Sequence, residues 1–324
     1  MKRRHFITLL GGAAAAWPIV GRAQRPVLPV VGYIFAGALW PPGEAAFRQG
    51  LKEAGFIEGQ NVTVEYHYGQ YQLDRMQDLT ADLVRRNVAA IASIGGGVIA
   101  RIVKAATSTI PVIFETGFDP VEAGLVASLS RPVGNLTGVN SIIAQLWPKQ
   151  IDLMAKLLPN SHVFGLLFTI QGQAELQPRL VSPGADALGL KLVFATALTP
   201  QELDAAFAAL ARQGAEAVII GASPLSGDHP DRMAALAARY SLPAIYAFRE
   251  IPKAGGLMSY GIDITESARL VGLYTGRILK GEKPADLPIV QPTRFVLAIN
   301  LKTAKALGLT IPPYLLAIAD EVIE

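Results

Sequence analysis

Residues 88–120 read VAAIASIGGGVIARIVKAATSTIPVIFETGFDP. Val88–Ile94 is a short apolar run, the pattern of a strand covered on both faces. Gly95, Gly96 and Gly97 follow at once, and Val98–Thr107 predicts a helix. Pro111–Glu115 is a second apolar strand. Asp119-Pro120 beyond it has the form of an N-cap residue followed by a first-turn proline, which predicts a short helix over Val121–Leu129. Strand, turn, helix, strand implies a parallel sheet with helices on both faces.

The same rhythm extends in both directions. Upstream lie a strand at Val30–Phe35, a helix at Glu44–Ala54 ending at Gly55, a strand at Val62–Tyr68 and an amphipathic helix at Asp74–Arg86. Residues 130–140 (SRPVGNLTGVN) interrupt it with Pro, Gly and Asn and are expected to cross between lobes. After a helix at Gln145–Leu158 a second series begins. Its strands are expected at Val163–Thr169, Lys191–Ala195, Ala217–Gly221, Ala244–Phe248, Gly256–Tyr260 and Phe295–Asn300. Its helices are expected near Ala174–Leu188 and at Pro200–Gln213, Asp231–Tyr240, Thr265–Lys280 and Leu301–Leu307. Two such series imply an α/β protein of two doubly wound lobes with a cleft between them.

The 324 residues are 51% apolar and 17% charged, enough to fill a core. The net charge of +3 comes from residues 1–23, which hold Lys2, Arg3, Arg4 and Arg22 and no acid. The rest holds 25 basic and 26 acidic residues, with no basic run, so nucleic acid is not an expected partner. There is no cysteine, which excludes disulfides, thiol nucleophiles and Cys-based metal sites. Met1–Phe6 is a charged head, residues 6–20 (FITLLGGAAAAWPIV) an apolar stretch too short for an anchor, and Gly21-Arg-Ala23 a cleavage pattern. Residues 1–23 therefore read as a signal peptide cut near Ala23. Arg3-Arg4-x-Phe6 resembles a twin-arginine signal, with the general secretory route left open. The mature chain is expected in the periplasm without membrane insertion.

Ligands of open α/β sheets bind beyond the carboxyl ends of the strands. That rule selects Phe35 after the first strand and the Gly95–Gly97 turn, whose N–H groups suit a carboxylate or phosphate. It also selects Thr116 as a donor and Asp119 as an ammonium acceptor or a helix cap. Ser223 and Tyr246 end strands of the second series, and Glu250 follows. The turn is not GxGxxG, since the third glycine of that spacing falls at Ala100, and there is no GK[ST] or GxSxG. His67, His162 and His229 are far apart and lack metal spacing. A binding protein rather than an enzyme is expected, with no cofactor or metal. An enzyme using the same cleft is the alternative, because triads assemble from distant positions.

Several segments resemble the substrate-binding proteins of ABC transporters, in the branch of tryptophan and tyrosine binders. They are PVIFETGFDPVEAGLV (111–126), RPVGNLTG (131–138), GGLMSYG (255–261), LKGEKPADLP (279–288) and NLKTAKALGLTIP (300–312). The resemblance covers essentially all of the mature chain. It implies the type I periplasmic binding fold, with three crossings joining lobe one (residues 27–138 and 259–284) to lobe two (139–258 and 285–324). It places Phe35, Gly96, Gly97, Thr116, Asp119, Ser223 and Tyr246 around the cleft. The chain departs from relatives at Ser93–Gly97, where they often carry hydroxyls, and at Thr169–Gly172, where they often carry a polar pair. Both departures bear on whether the solute is an amino acid. The resemblance implies a monomer that closes on a small solute, an amino acid or similar polar or aromatic molecule, and delivers it to an ABC permease. A sensor that docks a membrane receptor would need the same lobes.

Overall fold

The apolar runs assemble into two separate sheets. The computed structural model describes residues 28–170, 181–292 and 295–324. The first sheet contains β1 (Val30–Phe35), β2 (Thr63–Tyr68), β3 (Ala90–Ile94), β4 (Val112–Thr116) and β5 (Leu136–Asn140). Their order is β2-β1-β3-β4-β5, and all are parallel. The second contains β6 (Val163–Phe168), β7 (Lys191–Thr196), β8 (Ala217–Ile220), β9 (Ala244–Tyr246), β10 (Met258–Ile262), β11 (Phe295–Asn300) and β12 (Glu321–Ile323). Its order is β12-β11-β10-β9-β8-β6-β7, with β10 and β11 the antiparallel pair. The helices are α1 (Pro41–Glu53), α2 (Leu73–Arg85), α3 (Gly97–Ala106), α4 (Trp147–Leu157), α5 (residues 181–187), α6 (Leu203–Arg212), α7 (Pro224–Asp228), α8 (Pro230–Arg239), α9 (Glu250–Lys253), α10 (Ile264–Leu279), α11 (Leu301–Ala306) and α12 (Pro313–Ala317).

Strand side chains alternate between faces, so each sheet feeds two cores. Tyr33 of β1 and Ala92 of β3 pack with Phe47 and Leu51 of α1 and Val271 and Tyr274 of α10. Ile34, Ile91 and Phe114 pack oppositely, with Met76 and Leu83 of α2 and Ile99 and Val103 of α3. In the second sheet, Val218, Ile220 and Tyr246 meet Phe207 of α6 and Met233 of α8, while Phe164, Ile219 and Ile245 meet Ile151 and Met154 of α4. Helices α1 and α10 approach unusually closely. A Cβ at Gly50 would lie 1.9 Å from the Arg269 carbonyl oxygen, and one at Gly272 would lie 2.1 Å from that of Phe47. Only glycine allows these backbones to touch.

The chain passes between sheets after β5, at Asp263 and between Val290 and Phe295. The boundaries expected at 138/139, 258/259 and 284/285 each come too early. β5 is the edge strand of the first sheet, and β10 pairs with β9 and β11 in the second. Residues beyond 284 still hold the first sheet: Thr137 Oγ1 donates to the Leu287 carbonyl at 2.7 Å, and Asn140 N–H donates to that of Val290 at 2.8 Å. At the first crossing Ile142 has φ 45°, a left-handed conformation that is costly for a β-branched residue.

Other expectations also need correction. The end of the supposed irregular crossing at 130–140 is β5. Gly138 permits this, since a Cβ there would lie 2.0 Å from the Phe114 oxygen. Val121–Leu129 is a turn rather than a helix. Asp119 Oδ1 accepts from Val121 N–H at 2.8 Å, but Gly124 at φ 66° ends the coil at once. The helix expected near Ala174–Leu188 is described only over 181–187, and the leader at 1–23 lies outside the described residues. Among the described residues no helix is long and apolar enough to cross a membrane.

Candidate binding site

The carboxyl ends of the two sheets face each other across a cavity of about 130 Å³. Phe35, Trp40, the Gly95-Gly96 turn, Glu115 and Phe118 line it from the first sheet's side. Trp147, Ile170, Ser223, Asp228 and Phe248 line it from the second, with Ile264 and Thr265 where α10 begins. Phe35 and Trp40 stack at 5.4 Å. Trp147 is 1% exposed and holds its place because a Cβ at Gly221 would lie 2.3 Å from its ring. Aromatic side chains thus reach the wall from both sides.

Three acids line the cavity, and two of them, Glu115 and Asp228, are held by hydrogen bonds. Glu115, 4% exposed, accepts from Ser141 Oγ at 2.7 Å and from Gly95 N–H at 3.4 Å. Burial pushes its carboxyl above the ordinary range, and these hydrogen bonds only partly oppose that. Asp228, on α7, reaches across to the other side. Its Oδ2 accepts from Tyr71 Oη at 2.6 Å and from Ala38 N–H at 3.1 Å. Burial raises Asp228, while burial and the neighbouring carboxylate raise Tyr71. Gln70 and Tyr71 have φ 51° and 64°, consecutive left-handed residues that direct the phenol toward Asp228. Such strain persists only where surrounding contacts enforce it. Arg249 lies nearby but donates to Asp263 at 3.0 Å.

The expected site residues divide. Phe35, Gly96 and Ser223 line the cavity, as does Glu250. Ser223 Oγ is engaged in a capping box, accepting from Ser226 N–H at 3.0 Å. Thr116 and Gly97 lie behind the wall. Thr116 is fully buried and accepts from Phe118 N–H at 3.2 Å, and a Cβ on Gly97 would lie 3.0 Å from its oxygen. Asp119 caps its turn. Tyr246 is fully buried in the core, because alternation in β9 turns it toward α8, where its hydroxyl donates to the Met233 carbonyl at 3.4 Å. Strand β9 ends at Tyr246, so it is Phe248, two residues on, that reaches the cavity.

Trp40, Phe118, Trp147 and Asp228 were not anticipated. Asp228 had a readable signal: Ser223-Pro224 repeats the cap-plus-proline form of Asp119-Pro120 and announces α7. The aromatic residues converge from distant elements and carry no shared motif.

A family model for the ABC transporter substrate binding protein matches residues 44–323. The chain belongs to this family. A tyrosine-binding protein of Clostridioides difficile (strain R20291) is 24% identical over 270 residues, covering 81% of this chain and 75% of that protein. A conserved domain protein of Vibrio cholerae O1 biovar El Tor superposes with TM-score 0.81 at 27% identity, over 91% of this chain and 99% of that one. An ABC domain from Streptococcus pneumonia in complex with L-Trp gives TM-score 0.81 at 24% identity, over 91% and 100%. The fold of this substrate-binding protein is that of the type I periplasmic binding proteins: two mostly parallel sheets with helices between the strands.

Proposed function

We propose that this substrate-binding protein works in the periplasm, captures a small ring-bearing solute by closing its two lobes, and hands it unchanged to an ABC permease. The observation that carries this reading is the interlobe cavity itself. Its aromatic side chains come from both sides, and Asp228 bridges the sides at 2.6 Å. A cavity of roughly 150 Å³ is enough to hold benzene, so about 130 Å³ is on the scale of a small ring rather than of an oligosaccharide. The tyrosine-binding relative and the neighbour holding L-Trp support a ring-bearing solute. Closure is expected at the three crossings, where a few element-end residues absorb the rotation.

The test is a thermal-denaturation screen of the leaderless protein against single-ring and fused-ring metabolites, with sugars and aliphatic amino acids as controls. A ligand present at 100 times its Kd adds about 2.7 kcal/mol to stability. At least one ring compound should raise Tm by several degrees and change the fluorescence of Trp40 or Trp147, and mass spectrometry should recover it unaltered. Stabilisation by sugars alone, or turnover of the bound compound, would overturn the reading.

A further inference from the structure

We infer that the solute bears a positive charge and no carboxylate, and that Glu115 is the group that selects it; this rests on the ring-bearing solute proposed above. The Gly95-Gly96 turn, with φ 112° and 106° at the start of α3, is where an anionic ligand would be expected to sit. That place is already taken. The carboxylate of Glu115 accepts from Gly95 N–H at 3.4 Å and interacts with the Gly96 backbone as well. The protein's own carboxyl group occupies the cradle that a ligand carboxylate would need.

The remaining polarity points the same way. Among the described lining residues there are three acids, Glu115, Asp228 and Glu250, and no Lys, Arg or His. Asp228 is committed to Tyr71 and Ala38, and Glu250 lies 3.6 Å from Arg249. Among the described residues Glu115 makes no ion pair. Its partners are a hydroxyl and backbone N–H groups, and it is 4% exposed. A buried carboxylate without a cation is unfavourable, and an ammonium or protonated ring nitrogen in the cavity would relieve it. Trp40, Phe35 and Phe118 line the same side, and aromatic rings attract a cation at their faces. A ligand carboxylate would meet three acids and, among the described lining residues, no basic side chain to offset them. Asp119, expected from the sequence as an ammonium acceptor or a helix cap, caps its turn, so Glu115 takes the acceptor's role.

The test compares matched head groups on one ring: 2-phenylethylamine, L-phenylalanine, phenylacetate and 2-phenylethanol, with tryptamine, L-tryptophan and indole-3-acetate as the larger set. Affinities are read by Trp fluorescence and calorimetry. The amines should bind at least tenfold more tightly than the amino acids, and the acids should not bind at millimolar concentration. Glu115→Gln should bring 2-phenylethylamine down to the affinity of 2-phenylethanol. An amino acid or acid binding more tightly than its amine would overturn the inference, as would an amine affinity unchanged in Glu115→Gln. Should that variant fold poorly by circular dichroism, the order of head groups on the wild-type protein decides alone. If no compound binds with any head group, the ring-bearing solute itself is refuted, an outcome distinct from a reversed head-group order.

Discussion

Tyr71→Phe isolates the bridge between the lobes. The substitution removes one hydroxyl, which donates to Asp228 Oδ2 at 2.6 Å, and leaves the ring against His229 at 6.3 Å. Tyr71 does not line the ligand cavity, so no solute contact is lost. Hydrogen bonds to charged groups contribute about 1.5–3 kcal/mol. Both partners are only half-buried and regain water on opening, so the lower end applies, about 1.5 kcal/mol. Because the bond forms only when the lobes meet, its loss lowers the fraction of closed protein and weakens apparent affinity about tenfold. The assay is a fluorescence titration with the best ligand of the screen, together with its dissociation rate. Asp228→Asn serves as the second arm of a double-mutant cycle. In that background Tyr71→Phe should cost less than half as much, since a neutral amide accepts more weakly than a carboxylate. An affinity within twofold of wild type, or additive effects of the two changes, would refute the bridge as a latch.

Three further outcomes are expected. Tyr246→Phe should leave solute affinity unchanged and lower stability by about 1 kcal/mol in urea denaturation, since it loses one buried hydrogen bond in the core. Gly50→Ala should lower stability by about 1–3 kcal/mol by forcing α1 away from α10, visible as a drop in Tm of several degrees. Glu115→Gln should stabilise the ligand-free protein at neutral pH. The folded-state pKa of Glu115 is raised, so the native acid matches Gln below the unfolded value of about 4.3 and loses stability as pH climbs toward the folded value. The difference in Tm between variant and wild type should therefore widen from pH 4 to pH 7, and a constant difference would contradict it.

Much of the architecture could be read from single segments, because a buried parallel strand announces itself as an apolar run. VVGYIF and VFGLLF needed nothing else to be recognised. LTGVN did not look like a strand, because Thr137 and Asn140 are polar and Gly138 reads as a turn, yet each is explained by its neighbour in space: Leu287, Val290 and Phe114. The site was less legible. Strand-end loops pointed to Phe35, Gly96 and Ser223, whereas the choice between Tyr246 and Phe248 depended on where β9 stops, a matter of two residues. Trp40 and Trp147 are far apart in the chain and line one cavity only once both sheets exist. The filling of the Gly95 turn by Glu115 likewise depends on the β3–β4 register, which places Ser93 beside Phe114.

The seating of α10 on α1 has a consequence for how the polypeptide acquires its shape. Residues 30–140 supply five strands, but one side of that sheet is only partly covered, by α1, until Ile264–Leu279 is made, more than a hundred residues later. The earliest segment off the ribosome must wait for one of the latest, and loop closure over such a span is slow. A nascent chain halted near residue 200 would show the apolar flank of α1 to any holdase nearby, and should remain protease-sensitive until synthesis passes about residue 280.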